Sequence, residues 1–171
     1  MESKPGLKSK TIIEGLIIAF MIVLTILILS FFSVKEVWPA SIALLFFFEG
    51  KASIANLKNI FIGGSVGILL ALALVKLAGL LMPSMGEELG MLIPVFIFIF
   101  LIIVLGDISH VVFNNYAFCY FTVALIAKQQ ATVSWLIGLI VGGGFLIGGV
   151  ILFIRLMKKN ESEEKAANSN L

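Results

Sequence analysis

The sequence predicts an all-α integral membrane protein with six transmembrane helices, and both its composition and the arrangement of its apolar residues support this class. Apolar residues make up 60% of the 171-residue chain, charged residues make up 13%, and the mean hydropathy is +1.15. A soluble domain of this size could not remove so much apolar surface from water. The apolar residues also form long continuous blocks, whereas a transmembrane β-barrel shows segments of about ten residues with alternating hydropathy. We therefore expect spanning helices.

Six apolar runs are separated by short polar segments. In chain order they cover residues 11–33 (23 residues), 37–48 (12), 60–82 (23), 91–106 (16), 117–127 (11) and 135–157 (23). Because about 20 apolar residues cross the hydrocarbon core as a helix, each 23-residue run can span it, and the 16-residue run can do so with its flanks. The two short runs need flanking polar residues or a locally thinner bilayer.

The polar flanks predict the domain organisation and the orientation. We expect one membrane domain, 11–157, between an N-terminal tail, 1–10, and a charged C-terminal tail, 158–171. If all six runs cross, nine Lys and Arg residues share the side of the two tails and two lie opposite, with Lys76 inside a span. If the short runs only enter and return, the split is seven against four. The positive-inside rule favours the steeper bias, and hence six crossings with both tails in the cytoplasm.

A long, a short and a glycine-rich run follow one another twice, which predicts two repeats, 11–82 and 90–157. A shift of 79 residues aligns 40 positions without a gap and makes six pairs identical, including the Gly-Gly pair that begins at Gly63. Three crossings per repeat would invert one repeat relative to the other, as in many transporters. The alternative, that any protein with six spans can be aligned with itself in this way, stays open.

The third and sixth runs are rich in glycine. Small residues four positions apart lie on one helix face and allow the backbones of two helices to approach closely. We predict that these glycines pack helices within the protomer, with homo-oligomerisation or a bare backbone along a narrow path as the alternatives. The residues concerned are Gly63, Gly64, Gly67, Gly138, Gly142, Gly143, Gly144, Gly148 and Gly149.

Polar and aromatic residues at the ends of the second and fourth runs are the candidates for a solute pathway. Polar groups at membrane depth cost about 2.5–3.5 kcal/mol on insertion scales, so each is a functional candidate. An aromatic constriction followed by a charged vestibule suits a filter for small, weakly hydrated solutes. The alternatives are lipid-facing aromatic residues and an ordinary cytoplasmic loop. The candidates are Phe47, Phe48, Glu49, Lys51, Asp107, His110, Asn114, Asn115 and Tyr116.

The sequence contains few residues and motifs that are typical of enzymes. It has one histidine, His110, and one cysteine, Cys119. A single cysteine excludes an intrachain disulfide and a cysteine-based metal site. It contains no zinc-protease, serine-hydrolase, phosphate-loop or dinucleotide motif. We therefore predict no enzymatic activity, no metal and no cofactor, with an intramembrane enzyme as the less favoured alternative. The lack of a soluble basic domain excludes a nucleic-acid partner.

One segment carries a family resemblance. Residues 46–74, FFFEGKASIANLKNIFIGGSVGILLALAL, combine an aromatic end of a short run, a loop with glycine and lysine, the Leu57-Lys58 step and a span rich in small residues. This segment resembles a family of small bacterial inner-membrane proteins catalogued as domain of unknown function 1097 (DUF1097). The family has no established activity, so the resemblance implies a location in the bacterial inner membrane.

Together these features predict a small-solute channel or transporter in the lipid bilayer. A chain of 171 residues forms only a thin wall around a pathway, so we expect a homo-oligomer. The alternative is a membrane subunit that does not transport and instead organises or regulates a partner complex.

Overall fold

The computed structural model describes residues 9–127 and 132–168, and within these ranges it is all-helical, without a β-strand. The all-α prediction is therefore confirmed. Residues 1–8 of the predicted N-terminal tail and 169–171 of the C-terminal tail lie outside the described ranges. The elements are α1 (Ser9–Phe31), α2 (Trp38–Glu49), a 3₁₀ turn (Ile54–Asn56), α3 (Leu57–Met85), α4 (Glu87–Gly106), α5 (Asn115–Ile126), α6 (Thr132–Ile137), a π-helical turn (Gly138–Gly143) and α7 (Gly144–Asn168). The last three are continuous and form one rod, the α6–α7 helix.

Four helical segments among the described residues are long and apolar enough to span a membrane. Their bounds are Thr11–Phe31, Ile54–Met85, Glu87–Gly106 and Val133–Met157. The outer surface is apolar as well, since Leu16 and Phe20 of α1 are 66% and 64% exposed. These features indicate a membrane-embedded protein. Helices α2 and α5 have 12 residues each, about 18 Å of helix, which is shorter than a hydrocarbon core of about 30 Å.

Two glycine-rich helices organise the core, and each packs mainly against helices from the other half of the chain. Helix α3 packs against α4 and α5, whereas the α6–α7 helix packs against α1 and α2. At Gly67 the backbone of α3 meets the backbone of α5, and an added Cβ would overlap the carbonyl of Ala117. At Gly142 an added Cβ would lie 2.8 Å from Leu29 and 3.2 Å from Ala40. Glycine therefore sets the spacing between these helices.

The turn between α3 and α4 also depends on glycine. Gly86 separates the two helices and has φ +81°, a backbone conformation that side chains disfavour. One turn later, Gly90 lies against the backbone of Met82, where an added Cβ would approach within 2.7 Å. The two glycines bring α3 and α4 together as a tight antiparallel hairpin.

Contacts between the helices define their directions. Asn114 and Ala117 at the start of α5 lie against Gly63 and Gly67, in that order, so α3 and α5 run parallel. In the same way, α2 runs parallel to the α6–α7 helix, because Pro39 lies near Gly138 and Ala43 lies near Gly143.

The loops 50–56 and 107–114 lie at the same end of the bundle. The side chain of Asn56 donates a hydrogen bond to the Tyr116 hydroxyl, and the side chain of Asn114 donates to the Asn59 carbonyl at 3.4 Å. We call this the polar end.

Candidate functional site

Two open cavities lie side by side at the polar end. The first, of about 500 Å³, is lined by Phe46, Glu49, Asn56, Asn59, His110, Asn114, Asn115 and Tyr116. The second, of about 440 Å³, is lined by Ile102, Ile103, Gly106, Asp107, His110, Phe113, Asn114, Asn115 and Phe118. Because both are lined by His110, Asn114 and Asn115, we treat them as two lobes of one polar recess, the Glu49 lobe and the Asp107 lobe.

The recess exists because α5 begins deeper in the bundle than α3. Asn114, the residue before α5, contacts Gly63, which lies six residues after the start of α3 at Leu57. At 1.5 Å per residue, six residues correspond to about 9 Å along the helix. The first turn of α5 therefore forms the floor of a depression whose walls come from the neighbouring helices and loops.

Asn114 fixes this floor. Its side-chain oxygen accepts a hydrogen bond from the backbone N–H of Ala117 at 3.0 Å, which caps the N-terminus of α5. Its amide nitrogen lies within hydrogen-bonding distance of the carbonyls of His110 and Val111, both at 3.0 Å, as well as that of Asn59. Both ends of this amide are thus engaged within the protein, which gives Asn114 a structural role.

A second polar network forms the wall of the Glu49 lobe. Asn59 donates to the side-chain oxygen of Asn56 at 3.4 Å, and Asn56 in turn donates to the hydroxyl of Tyr116. The Tyr116 ring packs edge-on against Phe46, with the ring centroids 4.6 Å apart. This wall therefore presents an aromatic surface next to amide groups.

The charged groups of the recess are acidic. Glu49 and Asp107 are exposed, and within the described part of the chain neither carboxylate takes part in an ion pair. Lys51 and Lys58 are exposed near the same end, but they line neither lobe. His110 is the basic side chain of the lining.

A line of aromatic rings continues from the recess toward the opposite end of the bundle. Successive ring centroids are 4.6, 6.4, 5.9 and 5.4 Å apart along the series Tyr116, Phe46, Tyr120, Trp38 and Trp135. We call these five residues the aromatic column. Four of the rings fill the space between α2 and α5, and the fifth belongs to α6.

The far half of the column contains one buried hydrogen bond, from Tyr120, and two buried N–H groups without an acceptor among the described residues. The buried hydroxyl of Tyr120 donates to the Pro39 carbonyl at 2.7 Å and so ties α5 to the start of α2. The indole N–H groups of Trp38 and Trp135 are buried, and neither has an acceptor among the described residues. A buried donor without a partner is costly, by about 1–3 kcal/mol.

Two further cavities lie outside the polar recess. One, of about 460 Å³, is near the far end of the aromatic column and is lined by Ile26, Ser30, Ser33, Val34, Lys35 and Val37. The other, of about 180 Å³, lies between α1, α2 and α7, where Glu14, Phe48 and Phe153 line it together with aliphatic side chains.

The structure brings most of the predicted pathway residues together. Phe47 is instead 1% exposed within the core, and Phe48 faces the small cavity near Glu14. Lys51 occupies the turn after α2 with φ +56° and lines no lobe. The six residues that do line the recess are Glu49, Asp107, His110, Asn114, Asn115 and Tyr116.

Sequence reasoning missed three residues of the Glu49 lobe, namely Phe46, Asn56 and Asn59. The spacing of Asn56 and Asn59, three residues apart at the start of an apolar run, was an available signal, because it puts two amides on one helix face. The sequence contains no such signal for which of the three consecutive phenylalanines lines the recess, because that depends on how α2 is rotated against its neighbours.

The predicted packing glycines differ in their surroundings. Gly63, Gly64, Gly67, Gly138, Gly142, Gly143 and Gly149 all have atoms of neighbouring helices or loops within 4 Å of the position that a Cβ would take. Gly144 and Gly148 have none, and both are exposed. The second pair therefore forms a bare strip on the outer surface of α7.

The described residues contain no group of three or more histidine, cysteine or acidic side chains that could hold a metal ion. No protein-family model, no curated protein and no solved structure matches this chain. The resemblance to the DUF1097 family accordingly stays a prediction. The recess and the column must therefore be interpreted from their own chemistry.

Proposed function

We propose that this chain is a small-solute channel or transporter of a bacterial inner membrane, with its pathway between α2 and α5. The observation that carries the proposal is the continuity of the polar recess with the aromatic column. The rings of Tyr116 and Phe46 line the recess and are the first two members of the column, which continues into the core at Tyr120. Amide and carboxylate groups at the mouth can replace part of a solute's hydration shell, and an aromatic constriction can close by dewetting.

Six crossings with the polar end in the cytoplasm are part of this proposal. The parallel pairs formed by α3 with α5 and by α2 with the α6–α7 helix agree with a chain that reverses direction at each successive helix. The short helices α2 and α5 would complete their crossings where the bilayer is thin or where water fills the recess. Both tails would then lie on the side with more Lys and Arg residues.

Two inverted repeats are the second part of the proposal, and the pattern of burial supports them. The buried positions of α2 and α5 agree at a shift of 77 residues, with Ala40, Ala43, Leu44 and Phe47 corresponding to Ala117, Tyr120, Phe121 and Ala124. Those of α3 and the α6–α7 helix agree at a shift of 79, with Ile60, Gly63, Gly64, Gly67, Ile68 and Ala71 corresponding to Leu139, Gly142, Gly143, Leu146, Ile147 and Val150. The repeats would therefore differ by two residues in the segment after the short helix.

Passage through the closed column requires the rings to move. The two indole N–H groups have no acceptors among the described residues while the column is packed, so hydration or a solute with an acceptor oxygen would stabilise an open arrangement. The cavity near Lys35 would receive the solute at the far end.

Flux through reconstituted protein tests the proposal. Stopped-flow light scattering of proteoliposomes would follow volume recovery with urea, glycerol and small ionic solutes, and empty liposomes would give the background. We expect at least one solute to enter faster than the background and Tyr116→Ala to change its rate, whereas Phe100→Ala, which removes a lipid-facing ring on α4, does not. Rates equal to the background for every solute would contradict passive permeation.

The bare strip formed by Gly144 and Gly148 favours a second role, namely docking of another chain. In a homo-oligomer this strip would pack against a second copy, and in a subunit without transport activity it would pack against a partner. Gly148→Leu separates the two roles. If the variant loses both its flux and its oligomeric state, the transporter is favoured. If the protein shows no flux and the variant loses a co-purifying partner, the subunit is favoured.

A further inference from the structure

We infer that the polar recess selects small organic cations over anions. This inference rests on the proposed function only in that the recess is taken as the mouth of the pathway. It concerns the sign of charge that the mouth admits, which the overall composition does not predict, because the chain has a formal net charge of +2.

The first reason is the charge of the lining. Each lobe contains one carboxylate, Glu49 or Asp107, and neither lobe is lined by lysine or arginine. Because neither carboxylate has an ion-pair partner within the described part of the chain, their charge is available to a solute. The two carboxylates also outnumber His110, the basic side chain that both lobes share.

The second reason is that the helix dipoles at this end offset one another. Helices α2 and α4 end at the recess and present partial negative charge, whereas α3 and α5 begin there and present partial positive charge. The Asn114 cap further satisfies an N–H group at the start of α5. The carboxylates therefore set the charge of the lining itself, whereas Lys51 and Lys58 lie at the same end but outside both lobes.

The third reason is the aromatic wall. Phe46 and Tyr116 flank the Glu49 lobe, and a cation against an aromatic face is stabilised by the ring quadrupole, whereas an anion is not. The lobe carries amides and rings beside its one carboxylate, which suits a small organic cation. Ammonium or quaternary ammonium groups on small apolar bodies fit this chemistry.

Uptake of two permanently charged solutes tests the inference. Radiolabelled tetramethylammonium and methanesulfonate cannot cross the bilayer as neutral forms, and the membrane potential of the proteoliposomes would be clamped at zero. We expect the cation to enter about tenfold faster than the anion, because one carboxylate lines each lobe of the mouth and no lysine or arginine does. The double variant Glu49→Gln with Asp107→Asn should bring the ratio of the two rates close to one.

A matched control uses carboxylates of the same type outside the recess. Glu87→Gln with Glu88→Gln removes two exposed acidic groups from the first turn of α4 and should leave the cation-to-anion ratio unchanged. Equal rates for the two solutes, faster entry of the anion, or a wild-type ratio in the Glu49 and Asp107 double variant would overturn the inference.

Binding of tetramethylammonium, followed by calorimetry at low ionic strength, separates the inference from the proposed function. Binding that the Glu49 and Asp107 double variant loses, in a protein that conducts no solute, would support the cation site and contradict transport. Flux of neutral solutes without binding of the cation would contradict the cation site alone.

Discussion

Asn114 shows how one side chain holds the polar end together. Its side-chain oxygen caps α5 by accepting a hydrogen bond from the Ala117 N–H. Its amide nitrogen lies within hydrogen-bonding distance of three carbonyls, one in α3 and two in the loop before α5. Gly63 makes this possible, because any side chain at that position would occupy the space of the Asn114 amide. A glycine in one half of the chain and an asparagine in the other therefore form one structural unit.

A methyl group at Gly63 should be destabilising. Gly63→Ala places a Cβ within the Asn114 amide, which must move and give up its hydrogen bonds, and we expect a loss of about 1–3 kcal/mol, as for other overpacked sites. Thermal unfolding in detergent would measure it. Gly79→Ala in the same helix meets nothing within 4 Å and should be neutral or slightly stabilising. Equal effects of the two substitutions would contradict the close contact.

Removal of the cap tests the other member of the pair. Asn114→Ala should lower the free energy of unfolding by about 1–2 kcal/mol, because the start of α5 loses its cap and the nearby backbone carbonyls lose an amide donor. Asn115→Ala serves as the control, because this exposed neighbour makes no side-chain hydrogen bond within the part of the chain that the structure describes. Unfolding temperatures that rank in the opposite order would exclude the structural role of Asn114.

At the scale of single residues, sequence reasoning identified where polar groups gather but not which of them are free. Asp107, His110 and Asn115 line the recess as predicted candidates, whereas Phe47 lies in the core. The engagement of Asn114 with Gly63 depends on how close two helices approach, and no local pattern in the sequence encodes that distance.

Among the helical elements, α2 and α5 matter most, because their side chains form the aromatic column. Both tryptophans of the chain, Trp38 and Trp135, lie at its far end, with their rings 5.4 Å apart. The intrinsic tryptophan fluorescence therefore reports on this one place.

The fluorescence should report a closed column. Because both indole nitrogens are buried, we expect blue-shifted emission that soluble acrylamide quenches weakly. A solute that opens the column should shift the emission to the red and increase quenching. Trp135→Phe keeps a ring at that position and assigns the remaining signal to Trp38. Strong quenching without solute would mean that the rings are exposed and that the column is not packed.

At the scale of the helices, the apolar runs predicted which elements form but not all of their bounds. Helix α3 extends from Leu57 to Met85, beyond the run 60–82. Its first turn includes Lys58, which is exposed and can reach the surface, and its last turn includes Pro83. The π-helical turn at Gly138–Gly143 had no signal of its own in the sequence. It arises where glycines let this helix approach α1 and α2.

The whole molecule has two ends of different chemistry, and six crossings would place them on opposite sides of the membrane. In a Cys119→Ala background, cysteine at Ile108, which is 79% exposed at the polar end, should react with a membrane-impermeant maleimide only from the cytoplasmic side. Cysteine at Lys35 should react only from the opposite side. Labelling of both from one side would contradict six crossings.

The class of the molecule could be predicted from its composition and its long apolar blocks, because these leave few alternatives to spanning helices. Its internal arrangement could not. Helix α3 packs against α5, and the α6–α7 helix packs against α1 and α2, so these contacts join parts of the chain that are distant in sequence. Such contacts depend on helix rotation and on individual glycines.

The central claim is that solutes pass through the polar recess, and blocking the recess tests it most directly. Asn115 is exposed and lines both lobes, so cysteine at this position, in the Cys119→Ala background, can carry a bulky and reversible thiosulfonate adduct. Flux of the conducted solute would be measured before labelling, after labelling and after reduction, with Ser84→Cys as the matched control at an exposed site on α3. We predict that the adduct at position 115 abolishes flux, that reduction restores it and that the control is unaffected. Full labelling at position 115 with unchanged flux would show that the pathway lies elsewhere.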